Sequence, residues 1–255
     1  MDNLTVFAGS DFDHWAHQQA ARGTLNSKEA FLVARYFNAH GRTLDGGTGG
    51  GRVLFALQKL GYTDLHGFDF VPASIAAARQ RDTSGKIHFA VMDATQVDYE
   101  SDFFAQVIYA EHMLCFLPED ALRAKALREA HRVLKAGGVA IFTTLLFESR
   151  QHSLSQRLFQ QYLALYRKIT GSTASPQCLP WMKRGGRWNW AALRDAPPYN
   201  YWYRIEEFSQ DLASAGFCVD ALGTDVQIKV QRLCPTAAAL AKEPVAGALY
   251  AVCRK

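Results

Sequence analysis

A chain of 255 residues that is 49% hydrophobic and 20% charged carries enough apolar mass for one sizeable soluble core. It has no long apolar run of transmembrane length, and its opening Met1-Asp2-Asn3-Leu4 lacks the basic and apolar regions of a signal peptide, so a cytoplasmic protein with no membrane partner is expected. Five scattered cysteines without a C-x-x-C pair exclude a disulfide scaffold and argue against any metal site, and a net charge of +4 gives no case for nucleic acid.

In chain order, residues 12–22 and 27–40 read as two helices. The second opens on Ser27 as N-cap and carries Phe31, Val33, Ala34 and Phe37 at near-helical spacing. Strands follow near 42–46, 64–69, 87–92, 104–110 and 138–145, alternating with helices near 51–60, 73–82 and 119–134. Such alternation predicts a parallel sheet with right-handed crossovers and helices on both faces, with ligands bound beyond the C-terminal strand ends. The rhythm breaks after Leu146. A helix from Leu154 to Ile169 precedes an irregular run, Thr170 to Tyr203, which holds four of the five tryptophans. A long aromatic loop inside a compact domain is normally a binding element. A helix at 205–215 and strands near 217–224 and 246–253 close the chain. The whole reads as one domain over 1–255, with residues 1–40 as a helical cover and 147–203 as an inserted cap.

The most informative stretch is Leu44-Asp45-Gly46-Gly47-Thr48-Gly49-Gly50-Gly51, between the first strand and the next helix. Glycines at 47, 49 and 51 permit left-handed backbone and close approach of a ligand, and the helix N-terminus beyond them suits an anion. Asp69, in Gly67-Phe68-Asp69-Phe70, ends the second strand where an acid accepts hydrogen bonds from a ribose. A dinucleotide fingerprint would need a third glycine where Arg52 stands, so a nicotinamide enzyme is disfavoured.

The spacing D-x-G-x-G-x-G resembles the first motif of class I S-adenosylmethionine-dependent methyltransferases. Further segments resemble the same family in order: Asp69, then Phe89-Ala90-Val91-Met92-Asp93-Ala94, then Leu127 through Val139 with its Lys135-Ala136-Gly137-Gly138 turn, then Tyr203 through Phe217. The resemblance implies a seven-stranded, mostly parallel α/β sheet with an antiparallel last strand. It implies S-adenosylmethionine as cofactor and S-adenosylhomocysteine as product. Asp45, Gly47, Thr48, Gly49 and Gly51 would meet the methionine part, Asp69 and Phe70 the ribose, and Met92, Asp93 and Ala94 the adenine. Glu111 and His112, after the fourth strand, would lie beside the sulfonium and the acceptor. They depart from the family's usual small residues, as Gln106 departs from its usual aspartate.

Methyl transfer needs chiefly orientation and a group to take the acceptor's proton. His112 is one candidate base and His14 another, each with packed or surface histidine as the plain alternative. Trp15, Trp181, Arg187, Trp188, Trp190, Tyr199, Tyr201 and Tyr203 are candidates to contact a planar or amine-bearing small-molecule acceptor, or else pack the cap. RNA or protein methylation, and a non-catalytic nucleoside-binding protein of the same fold, remain the alternatives. Neither the acceptor nor the oligomeric state is fixed by the sequence.

Overall fold

The computed structural model describes residues 23–117, 119–184 and 186–255. The helix α1 (Ser27–Tyr36) is capped by Asn26, not Ser27: Asn26 Oδ1 accepts from the backbone of Lys28 and Glu29, and Glu29 Oε2 accepts from Asn26 N at 2.8 Å. This reciprocal box fixes the helix start one residue earlier than the serine suggested. The helix also stops at Tyr36, short of residue 40, because Phe37 turns into extended backbone.

The strands β1 (Thr43–Gly46), β2 (Leu65–Asp69), β3 (Ile87–Val91), β4 (Phe104–Tyr109) and β5 (Leu134–Leu145) are parallel neighbours. Between them run α2 (Arg52–Lys59), α3 (Pro72–Arg81) and α4 (Asp120–Val133). After the insert come α6 (Ile205–Ser214), β10 (Cys218–Thr224), two short helices α7 (Asp225–Lys229) and α8 (Ala237–Leu240), and β11 (Ala248–Arg254). The seven strands lie in the order β10-β11-β5-β4-β1-β2-β3, with β11 antiparallel to both its neighbours. The expected architecture is therefore present, including the antiparallel last strand.

Side-chain alternation splits the core into two layers, one on each sheet face. On β4 and β5, Val107, Tyr109, Ala140 and Phe142 join the layer under α4 and α6. Ile108, Val139 and Ile141 join the layer under α1, α2 and α3. Gln106, unusual at its position, has a structural reason. Its buried amide donates to Asn38 O at 2.7 Å and Thr43 Oγ1 at 2.8 Å, and its carbonyl accepts from Asn38 N at 2.7 Å. It ties the segment entering β1 to β4.

The insert is more ordered than an irregular run. The helix α5 (Leu154–Thr170) leads to β6 (Cys178–Pro180), a small hairpin β7 (Lys183–Arg184) and β8 (Arg187–Trp188), and β9 (Tyr199–Tyr201), which pairs antiparallel with β6. Arg167 of α5 staples these pieces, donating to both carboxylate oxygens of Asp195 and to the carbonyls of Ser175 and Cys178. The insert leaves and rejoins the sheet at one place: Tyr203 N donates to Leu145 O at 2.9 Å and Phe147 N to Tyr203 O at 2.8 Å. Two crossed stacks flank that seam, with Arg150 over Trp202 at 4.3 Å and Arg204 over Phe147 at 4.5 Å.

Candidate active site

The glycine loop leaves β1 in a tight turn, with Gly47 N and Thr48 N both donating to Phe68 O at 2.9 Å. Gly47, Gly49 and Gly51 all have left-handed backbone, with φ of 73°, 53° and 84°. Two of the three are also sterically required. A Cβ on Gly47 would fall 2.3 Å from Met113 Cγ, and one on Gly51 would fall 2.9 Å from the rings of Phe55 and Phe89. At Gly49 a Cβ would meet nothing within 4 Å, so this glycine faces open space. Gly49→Ala is therefore expected to cost the fold only the left-handed strain, about 1–2 kcal/mol, while filling the space a nucleoside ligand would use. Thermal melts and ligand titration together check this: a Tm loss of a few degrees should accompany at least a tenfold loss of affinity. Unchanged affinity would mean that the open space is not the ligand's.

Two acids stand under and beside this loop. Asp45 is fully buried; it accepts from Thr48 Oγ1 at 2.7 Å, and burial pushes its pKa up to about 7. Asp69 ends β2, where Oδ2 accepts from Gly49 N at 2.8 Å and Oδ1 from Val71 N at 2.9 Å. Burial nonetheless raises its pKa, because those hydrogen bonds offset only part of the lost hydration. A carboxylate has about four acceptor positions, and the backbone N–H groups of Val71, Gly49 and Phe70 occupy three of them. Exposed Phe70 follows it. Beyond β3, Met92 N donates to Asp69 O at 3.1 Å, which brings the Met92-Asp93-Ala94 turn beside the acid. Asp93 is exposed and closes that turn by accepting from Thr95 N at 2.7 Å, while Ala94 is buried.

Glu111 and His112 both adopt left-handed backbone, φ 51° and 63°, without being glycine. Each such residue costs roughly 1–2 kcal/mol, so the surroundings must hold the turn in place. They do so through a network that the motif reading missed. Arg52 Nη2 donates to Glu29 Oε1 at 2.6 Å and Glu111 Oε1 at 2.8 Å, while its Nη1 donates to Glu29 Oε2 at 2.7 Å and Thr24 O at 2.8 Å. The sequence held two signals for it: the Asn26-x-x-Glu29 box, and a cation at the first position of a helix, where the helix dipole disfavours positive charge.

His112 is not the ordinary titrating histidine that its unperturbed value suggested. Burial lowers its pKa to about 4, against weaker upward contributions from Asp225, Glu29 and a hydrogen bond to the Thr144 backbone. Its Nδ1 is buried without a hydrogen-bond partner among the described residues. At neutral pH the ring is uncharged, so it offers an acceptor lone pair but little basicity. His14 and Trp15 lie outside the described residues.

The cap candidates separate into three groups. Tyr201 and Tyr203 are core residues rather than acceptor contacts, since their rings pack beside the buried Arg123, 3.3 Å and 5.5 Å from its guanidinium carbon. Tyr201 Oη donates to Glu207, and Tyr203 is wholly buried, because the hydrophobic layer under α4 and α6 extends through this seam. Trp181 and Tyr199 are half-buried. Trp181 Nε1 donates to Asn200 Oδ1 at 2.7 Å, its ring lies 6.1 Å from Phe116, and Tyr199 Oη donates to Asp195 O. Phe116 ends the short 3-10 helix Met113–Phe116 that directly follows His112, and Met113 packs on Gly47. Trp181 thus connects to the glycine loop through one turn of chain. Arg187, Trp188 and Trp190 are exposed, and the two indoles meet edge-on at 6.4 Å.

Residues 44–142 match the family model described as a methyltransferase domain. Among solved structures, an S-adenosylmethionine-dependent methyltransferase from Methanosarcina mazei aligns with a TM-score of 0.65 at 18% identity, covering 88% of this chain and 96% of that one. The Haloferax volcanii complex between the Trm112 methyltransferase activator and a methyltransferase aligns at 0.61 and 19% identity, covering 96% and 95%. The CcbJ methyltransferase from Streptomyces caelestis aligns at 0.59 and 17% identity, covering 89% and 88%. No curated protein matches the sequence.

Proposed function

We propose that this chain, an S-adenosylmethionine-dependent methyltransferase of the class I fold, delivers the methyl group to a nitrogen or oxygen of a small molecule, aromatic or amine-bearing. The observation that carries this reading is the cap. Residues 147–203 form a unit stapled by the β6–β9 pairing and Arg167, and its Trp181 ring meets Phe116 at the end of the Met113–Phe116 turn. Such a unit suits an enclosed acceptor better than a polymer lying across the strand ends.

The residues present fit the cofactor. Asp69 would take a ribose hydroxyl, the Gly47–Gly51 backbone the methionine part, and the Met92–Ala94 turn the adenine. Bound there, S-adenosylmethionine supplies a methyl group already activated on a sulfonium. Holding an acceptor in line with it can contribute about 7–11 kcal/mol toward the barrier. In this reading Glu111 sets negative charge near the sulfonium. His112 Nδ1 would accept a hydrogen bond from the acceptor's N–H or O–H and orient it, and the proton displaced on methylation would leave to solvent, because burial makes the imidazole too weak a base to keep it. Labelled methyl transfer to a panel of arylamines and phenols tests the acceptor class. Transfer confined to tRNA or protein would overturn it.

Asp45 gives the reading a pH signature. Burial, offset only in part by the Thr48 hydroxyl and the Arg52 guanidinium, puts its carboxyl at about 7. The α-ammonium of the methionine part would favour the ionised form, so binding should release a proton. Affinity for S-adenosylhomocysteine is expected to rise as pH increases from about 6 to about 8, and Asp45→Asn should flatten that dependence. Calorimetry in two buffers of different ionisation enthalpy counts the proton. A pH-independent affinity would separate Asp45 from the ligand.

A further inference from the structure

A surface helix ordinarily turns its polar side to water, and α5 does the reverse. At about 100° per residue, Leu154, Leu158, Tyr162, Leu165 and Ile169 fall within an arc of about 80°. All five are exposed, from 42% for Tyr162 to 75% for Ile169. The buried Leu163 and Arg167 lie on the opposite side. Tyr162 Oη donates to Leu193 O, which sets the 3-10 helix Trp190–Arg194 alongside and joins exposed Leu193, Trp190 and Trp188 to the same unit. Eight of the twelve exposed large apolar residues among the described residues belong to the insert.

The charge of the insert is equally lopsided. Residues 147–203 contain eight Lys or Arg against only Glu148 and Asp195, which leaves 20 basic and 22 acidic residues for the rest of the chain. Asp195 is spent on Arg167. Arg157 and Lys168 are exposed and lie about 40–60° beyond one edge of the apolar stripe, and Lys183 and Arg187 flank the exposed indoles. Leu and Ile in a stripe, tryptophans at a hairpin, and lysines and arginines along the border are the composition that settles at a lipid–water interface.

We propose that this face of the insert is a peripheral docking surface for an anionic lipid bilayer. The α5 stripe with Trp188 and Trp190 enters the headgroup boundary, and Arg157, Lys168, Lys183 and Arg187 meet the lipid phosphates. No described helix is long and apolar enough to cross a membrane, which bears on spanning and not on surface attachment. A second copy joined through the same stripe would bring the basic borders together, and α5 contains no acid to meet them. The proposal is independent of the methyl acceptor.

The test is sedimentation of the full chain with vesicles of phosphatidylcholine alone and with a quarter phosphatidylglycerol. The expected result is at least tenfold stronger partition onto the anionic vesicles, weakened by added salt. It should be lost tenfold or more in Trp188→Ser/Trp190→Ser and in Leu158→Gln/Leu165→Gln. These positions are exposed, and S-adenosylhomocysteine titration of the same samples reports separately on the cofactor site. Wild-type protein that stays in the supernatant, or binds both vesicles equally, overturns the proposal. A wild-type dimer in light scattering that Leu158→Gln/Leu165→Gln converts to monomer, without vesicle binding, assigns the stripe to a second copy instead.

Discussion

Replacing Asp69 by alanine is expected to lower affinity for S-adenosylhomocysteine at least a hundredfold. The carboxylate is placed by the end of β2 and held by Gly49 N and Val71 N, so its remaining acceptor position is oriented before any ligand arrives. A hydrogen bond to a charged group contributes about 1.5–3 kcal/mol, and the lost ribose contact together with the loosened glycine loop accounts for a hundredfold or more. The variant also frees Gly49 N, which loosens the loop that the methionine part would rest on. Asp69→Asn keeps one acceptor oxygen but turns its amide N–H groups toward backbone donors, so it should bind almost as poorly. Calorimetric titration of each variant, with circular dichroism as the check on folding, measures this. An Asp69→Ala protein that binds within threefold of wild type would remove Asp69 from the ribose.

The largest effect on stability is expected from Arg52→Met. Arg52 and Glu29 form a buried pair with two direct contacts, at 2.6 and 2.7 Å. Removing one partner of such a pair typically costs about 3–5 kcal/mol, because the other is left charged and dry. Glu111, at the more exposed end of the network, should contribute far less to stability. Arg52→Met also releases Glu111 from the strained turn, so methyl transfer should fall further than folding alone explains. Pairing it with Glu29→Gln removes the stranded charge and should recover much of the stability. Denaturant melts of the single and double variants test this, and an additive double variant would show that the two side chains do not act as a unit.

Much of the sheet was legible because its strands are short apolar runs punctuated by glycines and acids, and the helices Arg52–Lys59 and Asp120–Val133 between them have a periodic apolar face. The Gly47–Gly51 loop was legible for a similar reason, since left-handed backbone and close approach leave a residue-type signature. The Glu29–Arg52–Glu111 network was not, because its members are 23 and 59 residues from Arg52 and share no local spacing. The depressed pKa of His112 was not legible, because it depends on burial, which a turn sequence does not reveal. The cap was the least readable. Tyr201 and Tyr203 look identical in sequence to the other cap aromatics, and only the packing against Arg123 and α6 separates them. Trp188 and Trp190, readable in sequence as acceptor contacts or as packing for the cap, are exposed.

The most direct test of the central claim is calorimetric titration of the wild-type chain with S-adenosylhomocysteine at pH 8. One site per chain with micromolar affinity is expected, and S-adenosylmethionine should compete for it. A folded sample that gives no heat and no competition with either nucleoside, across a range of temperatures, would contradict the assignment of Gly47–Gly51, Asp45 and Asp69 to a cofactor.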